Sequence, residues 1–180
     1  MLTYVAEQDG DLIARAQPRL DTAPAYAVAQ QIAASLRFPV QGRDGDAVQS
    51  GFGAARDAGV RRHEGIDIFA PRGTAVVAAA DGWITRQTTN RLGGNVVWLW
   101  SPSRRLSLYY AHLDRHAVTP GERVREGDVL GYVGNTGNAR FTAPHLHFGV
   151  YASMAGAVDP FPFVVDPVMQ RQHRRQRRRR

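Results

Sequence analysis

The chain of 180 residues contains neither cysteine nor lysine, and it has no long hydrophobic run. Without cysteine, a disulfide, a thiolate-bound metal and a cysteine nucleophile are excluded, so histidine and carboxylate side chains are left as metal ligands. No segment approaches the roughly 18 apolar residues of a membrane-spanning helix. The N-terminus lacks the basic start and apolar core of a secretion signal, so we expect no export segment within this sequence.

All 23 basic residues are arginines, and seven of them lie in the last ten positions. The remaining 16 arginines balance 16 acidic residues, so the formal net charge of +7 resides in the tail. We predict that residues 168–180 form a disordered Arg-rich tail, because they offer little for a core to bury. Such a tail is expected to attract anionic envelope polymers, with no specific nucleic-acid partner. A purely solubilising tail is the alternative.

Glycine and proline punctuate the chain after residue 38, and β-branched or aromatic runs lie between them. This rhythm predicts strands at residues 75–80, 95–100, 106–111, 129–133 and 145–151. Before them, the sequence predicts a short hairpin around Asp9 and Gly10 and one amphipathic helix from Pro24 to Leu36. We therefore predict an accessory N-terminal segment, residues 1–35, and a mainly β domain, residues 36–167, built as an antiparallel sheet or sandwich.

A faint internal repeat supports a sheet made of duplicated hairpin-like units. Residues 73–76 (GTAV) lead to residues 82–84 (GWI), and residues 121–124 (GERV) lead to residues 131–133 (GYV), at an offset of 48 that becomes 49. Two similar strand-turn-strand units are the prediction. Chance similarity between segments rich in glycine and valine is the alternative.

The stretch "PHLHFGV" places His145 and His147 one residue apart on a predicted strand. Because side chains alternate along a strand, both histidines share one face with Gly149, while the apolar residues between and after them face the core. Both imidazoles are therefore expected on the side away from the core. From this motif alone, one metal site, half of a site and two exposed histidines all stay open.

Two further segments supply candidate partners. In "RRHEGID", His63 and Asp67 lie four residues apart, and a straight strand would separate them by roughly 13 Å, so we expect a bend at Gly65. In "SLYYAHLD", His112 is expected at the end of a strand, on the same face as Tyr110. Together with the H-x-H motif, these residues supply three ligands and two acid–base groups, which is the inventory of a hydrolytic zinc site.

In these motifs the chain resembles the lysostaphin/LytM-type zinc metallopeptidases, which cut peptide bonds in bacterial peptidoglycan. The resemblance runs from about residue 36 to residue 160. Its ordered motifs are "HEGIDIFAPRGTAVVAAADG", "GGNVVWLW", "YYAHLD", "GERVREGDVLGYVGNTG" and "PHLHFGV". It implies a mostly antiparallel β-sheet with duplicated hairpin-like units and a narrow substrate groove.

The resemblance also implies the roles of individual residues. Zn²⁺ is the implied cofactor, and the family's ligands fall on His63, Asp67 and His147. The two auxiliary histidines fall on His145, which is expected to act as the base, and on His112, which is expected to stabilise the oxyanion or protonate the leaving amine. Asn95, in "GGNVV", matches a position near the groove and is a candidate for substrate binding.

The implied function is a zinc metalloendopeptidase that hydrolyses peptide cross-links of peptidoglycan in the cell envelope, either the periplasm or the cell wall. The chain departs from the pattern at Gly149, where many members carry Glu, and at Arg140 and Phe141, which are inserted before the H-x-H motif. Some relatives place a tyrosine before the first ligand. Here the same segment offers Arg56 and Arg62 instead.

Two other classes of protein compete with this interpretation. A catalytically silent relative would bind peptidoglycan or activate another cell-wall hydrolase, but such members have lost metal ligands that this chain retains. The segment "GERVREGDVLGYVG" is also similar to the hairpin of lipoyl, biotinyl and sugar-phosphotransfer carrier domains. The first two need a lysine, which this chain does not contain. The third needs a phosphorylatable histidine, but five histidines together with Asp67 suit a metal better than a single phosphoryl site.

Overall fold

The computed structural model describes residues 35–56, 59–153 and 155–165. Its strands are β1 (Val48–Ser50), β2 (Ala55–Arg56), β3 (Arg61–Arg62), β4 (Ile66–Phe69), β5 (Ala75–Val77), β6 (Gly82–Asn90), β7 (Gly94–Ser101), β8 (Leu106–His116), β9 (Arg123–Val124), β10 (Val129–Val133), β11 (His145–Ala152) and β12 (Gly156–Val158). One α-helix, α1 (Phe161–Val164), and two short 3-10 helices, Gly45–Ala47 and Gly137–Ala139, complete the described elements. All strand pairings among them are antiparallel, which confirms the predicted fold class.

The five predicted strands are all present, and β10 has the predicted bounds. Strand β6 was not predicted at its full length, because most of its residues are polar and only Ile84 is buried as part of the core. The predicted hairpin and most of the predicted helix lie outside the described residues. At the described end of that helix, Ser35 and Leu36 form a bend, and the Leu36 N–H donates to the carbonyl of Phe163 at 2.9 Å.

One large sheet runs in the order β1-β4-β11-β8-β7-β6-β9, with β12 added at β11 and β10 joining β8 to β5. Its inner face carries fully buried side chains such as Ile66, Leu108 and Phe148. These pack in one core with the β5 and β10 region and with Val40. No described helix is long and apolar enough to span a membrane. The candidate metal ligands on β4 and β11 lie on the opposite face of the sheet.

The internal repeat corresponds to a real structural duplication. Gly82 on β6 pairs with Val124 on β9, and Gly131 on β10 pairs with Val76 on β5. These two pairs match under the offset of 48 to 49 residues. The first strand of each unit therefore pairs with the second strand of the other, so the two hairpin-like units complete each other.

A bulge interrupts β8 at His112. Val97 pairs with Tyr110, but Asn95 pairs with Leu113, so two residue steps on β7 face three on β8. His112 takes a positive φ of 63°, a rare conformation for a residue with a side chain. The expectation that Tyr110 and His112 share a face was therefore wrong: Tyr110 lies in the core, and the extra residue turns His112 to the other side.

Candidate metal centre

Three side chains from two strands and one loop converge on the outer face of the sheet. The Nε2 atom of His63 lies 3.0 Å from Asp67 Oδ1 and 2.9 Å from His147 Nδ1, and the last two atoms are 3.1 Å apart. Asp67 on β4 and His147 on β11 are direct partners in the sheet register. Two imidazole nitrogens and one carboxylate oxygen so close together fit one zinc ion, which prefers such ligands and leaves a position for water in catalytic sites.

The bend expected between His63 and Asp67 occurs at Gly65, but for a different reason than the one inferred from the sequence. The φ of Gly65 does not lie in the left-handed region. Instead, a Cβ at this position would lie 2.5 Å from the carbonyl oxygen of Phe148 and 2.8 Å from the ring of His147. Glycine is required here because the loop passes directly against β11 and the imidazole of a candidate ligand.

The backbone fixes the proton on His63. Its Nδ1 donates to the carbonyl of Gly51 at 2.8 Å, and a carbonyl can only accept, so Nε2 keeps its lone pair for a metal. Burial raises the pKa of Asp67, but the adjacent imidazoles of His147 and His63 outweigh burial and hold this pKa well below its usual range. Burial lowers the pKa of His147, which favours its neutral form. A carboxylate and neutral imidazoles are the forms in which these three side chains would bind a cation.

The two remaining predicted site histidines lie beside this trio. The ring centroid of His112 is 5.1 Å from that of His145 and 6.0 Å from that of His147. His112 Nδ1 donates to the carbonyl of Thr136 at 2.9 Å, and His145 Nδ1 donates to that of Ala143 at 2.8 Å. Both tethers belong to the loop between β10 and β11. Among the described residues, no hydrogen-bond partner is found for Nε2 of either histidine.

Burial is the main reason why His112 resists protonation. Together with the neighbouring His145 and His147, burial lowers the pKa of His112 to about 4. His112 is 8% exposed and His145 is 6% exposed, so both are much less accessible than the sequence suggested. The lowered pKa favours the neutral imidazole of His112 at neutral pH.

Asn95 lies behind His112 and bonds to the protein through both ends of its amide. Its Nδ2 donates to the carbonyls of Leu113 and Asp114 at 3.1 and 3.0 Å, and its Oδ1 accepts from Thr89 at 2.7 Å. Its backbone N–H donates to the hydroxyl of Thr136 at 2.9 Å. These contacts brace the bulge that presents His112. The substrate-binding role of Asn95 stays a prediction.

We expect Asn95→Ala to lower kcat by roughly 10- to 100-fold with KM near the wild-type value, because a small displacement of an acid–base group is costly in the transition state. Steady-state kinetics on a soluble cross-linked peptide measures both constants. Asn138→Ala is the control, since its side chain is exposed on the loop that tethers His112. A raised KM with unchanged kcat would instead support substrate binding by Asn95.

The position at which a carboxylate was expected is closely surrounded. A Cβ on Gly149 would lie 3.0 Å from the ring of Tyr151 and 3.1 Å from the carbonyl of Glu64. Beside it, the ring of Tyr109 meets the ring of His147 edge-on, with centroids 5.8 Å apart. On this side of His147, the neighbour is therefore the ring of Tyr109 and not a carboxylate.

The inserted residues Arg140 and Phe141 lie in the loop before β11, and the Phe141 side chain is 85% exposed.

The two arginines that precede the first ligand, Arg56 and Arg62, have different hydrogen-bond partners. Arg56 Nη2 donates to Asp67 Oδ2 at 2.5 Å, whereas Arg62 donates to the carbonyl of Gly53 at 3.3 Å. Arg56 is thus the one of the two that contacts the candidate metal ligands. The sequence showed its proximity to His63 along the chain, but not which ligand it reaches.

A metal-binding trio, flanked by two tethered histidines on the outer face of an antiparallel sheet, defines the class of zinc-dependent hydrolases. Comparison with known proteins specifies the family. The model of peptidase family M23 matches residues 61–160, and the chain belongs to this family of zinc metallopeptidases.

Individual relatives agree with this assignment. The chain is 39% identical over 89 residues to the peptidoglycan DD-endopeptidase ShyC of Vibrio cholerae, a match that covers 49% of this chain and 20% of that relative. Among solved structures, the catalytic domain of lysostaphin from Staphylococcus simulans shares 34% identity with a TM-score of 0.56, covering 63% of this chain and 87% of that domain. A zinc-containing peptidase from Vibrio cholerae shares 30% identity with a TM-score of 0.61, covering 74% of this chain and 40% of the other.

Proposed function

We propose that this chain is a zinc metalloendopeptidase that hydrolyses peptide cross-links of bacterial peptidoglycan. The single observation that carries the proposal is the convergence of His63, Asp67 and His147 beside two further histidines with free Nε2 atoms. The relative named as a peptidoglycan DD-endopeptidase supports the substrate class. Because the chain spans only a fifth of the length of ShyC, the activity is proposed for the domain itself.

In the proposed mechanism, His63, Asp67 and His147 hold the ion. Zinc, when bound, supplies a Lewis acid that makes a water easier to deprotonate and a carbonyl easier to attack. His145 accepts the proton of the attacking water through Nε2, while its Nδ1–H stays on the carbonyl of Ala143. His112 takes up a proton from solvent at Nε2, while the proton on His145 is returned to solvent, and His112 then stabilises the negative charge on the scissile carbonyl oxygen or passes its proton to the leaving amine.

The decisive experiment is a digest of purified peptidoglycan followed by mass spectrometry of the released fragments. The zinc-loaded protein is expected to open peptide cross-links, and the fragment masses identify the bond. Zinc content measured on the same sample separates the proposal from its alternative, a silent module that only binds peptidoglycan. If the purified protein contains no zinc and cleaves nothing after zinc is added, the proposed peptidase activity is refuted.

The same proposal places the protein in the cell envelope, since its substrate is found there. The Arg-rich tail lies outside the described residues, and we propose that it concentrates the enzyme on anionic envelope polymers. Deleting Arg171 to Arg180 is therefore expected to leave cleavage of a small soluble peptide unchanged and to reduce cleavage of intact envelope material, most clearly at low salt. If the truncated and the full-length protein cleave each substrate equally well at all salt concentrations, a purely solubilising tail is favoured.

A further inference from the structure

The two oxygens of the Asp67 carboxylate have different partners. Oδ1 faces the nitrogen atoms of His63 and His147, at 3.0 and 3.1 Å, and is the oxygen available to a metal. Oδ2 accepts a hydrogen bond from Arg56 at 2.5 Å. The same Nη2 atom of Arg56 also donates to the hydroxyl of Ser50 at 2.8 Å. One oxygen of the Asp67 carboxylate therefore binds the Arg56 guanidinium, and the other is left to bind a metal.

Arg56 is held in this place by the backbone around the first ligand. It lies on β2, which pairs with β3 in a small hairpin. Two backbone hydrogen bonds join the start of this hairpin to His63, from Gly53 N–H to the His63 carbonyl at 2.8 Å and from His63 N–H to the Ala54 carbonyl at 2.9 Å. A shift of Arg56 would thus also disturb His63.

The surroundings make this ion pair stronger than an ordinary surface pair. The side chain of Asp67 is 11% exposed and that of Arg56 is 35% exposed, so water screens the pair only in part. Charge-assisted hydrogen bonds of this kind are also roughly twice as strong as neutral ones. Oδ2 is therefore not readily released to a metal.

We infer that Arg56 is a positioning residue that restricts Asp67 to a single-oxygen metal ligand and withdraws negative charge from it. Two consequences follow for the proposed zinc site, on which this inference rests. The ion keeps more of its charge for the reaction, because a carboxylate paired with a guanidinium is a weaker donor. A coordination position that a second carboxylate oxygen would fill is kept for water or substrate.

The test compares Arg56→Gln and Arg56→Lys with the wild type, and Arg61→Gln, which removes the same charge from the partner strand of the hairpin, serves as the control. Zinc affinity is measured by competition with a chelator. Arg56→Gln is expected to bind zinc more tightly by roughly tenfold or more, because it removes a positive charge next to a divalent ion and frees Oδ2. Under saturating zinc its kcat should nevertheless fall.

Cobalt substitution supplies a second measurement that does not depend on activity. The visible absorption of the Co²⁺-loaded protein should lose intensity in Arg56→Gln, as expected when a second carboxylate oxygen raises the coordination number. Arg56→Lys should return zinc affinity and spectrum towards the wild-type values.

A merely structural role predicts the opposite sign, since loss of a group that only orients a ligand weakens metal binding by roughly 10- to 100-fold. Weaker or unchanged zinc binding in Arg56→Gln, or a cobalt spectrum identical to that of the wild type, would overturn the inference while leaving the proposed function intact. A wild-type protein that binds neither metal would overturn both.

Discussion

Alanine at His147 is expected to abolish both zinc binding and peptidase activity, whereas alanine at His145 is expected to abolish activity alone. His147 Nδ1 belongs to the trio that can hold the ion, while His145 Nδ1 is engaged by the carbonyl of Ala143. Removing a proton-transfer group typically lowers the rate by roughly 10²- to 10⁴-fold. Zinc content by elemental analysis, together with kcat on a soluble peptide, therefore separates a ligand from an acid–base residue.

A described histidine outside the cluster provides the control for this pair. His116 contacts Gln87 at the C-terminal end of β8, and His116→Gln should keep both zinc and activity. Loss of zinc in His145→Ala would contradict the division of roles within the H-x-H motif. Retention of one zinc per chain in His147→Ala would contradict the metal site itself.

The second large effect concerns Gly65, a residue with no functional group. Gly65→Ala would place a methyl group 2.5 Å from the carbonyl oxygen of Phe148 and 2.8 Å from the His147 ring, and neither the strand nor the ligand can retreat without cost. We expect a loss of stability of roughly 1–3 kcal/mol, as for other overpacked interiors, and a strong loss of zinc affinity. Urea unfolding and zinc content measure the two effects.

Gly51→Ala is the matched control for this substitution. Gly51 lies between β1 and β2, and the position that its added methyl group would take has no neighbouring atom within 4 Å. Its carbonyl still accepts the hydrogen bond from His63. Stability and zinc content should stay close to those of the wild type. If both alanine variants behave alike, the close approach at Gly65 is not what the site requires.

Much of the site could be predicted from the sequence because it depends on strand periodicity. Alternation along β11 correctly placed His145 and His147 on the face opposite the core residues Leu146 and Phe148. The duplicated units were also visible, since equivalent turns repeat the same glycines. Strand alternation and repeated glycines are both patterns that can be recognised directly along the sequence.

Other features depend on contacts between distant segments, which periodicity does not encode. The bulge at His112 breaks the alternation that assigned this residue to the face of Tyr110, and the hydrogen bonds that support it come from Gly93 and Thr136. The pairing of Arg56 with Asp67 likewise depends on a hairpin of two-residue strands, too short for a recognisable pattern. Tertiary structure decided these positions.

The loop between β10 and β11 has a consequence for how such a domain can change. Its two ends are fixed: Thr136 holds His112, Ala143 holds His145, and Gly134 pairs with His145 across the base. The tip of the loop carries the exposed Phe141, which tethers neither histidine. We therefore expect insertions or exchanges at the tip to leave His112 and His145 in place, so the sequence of the tip can vary while the positions of the two histidines are retained.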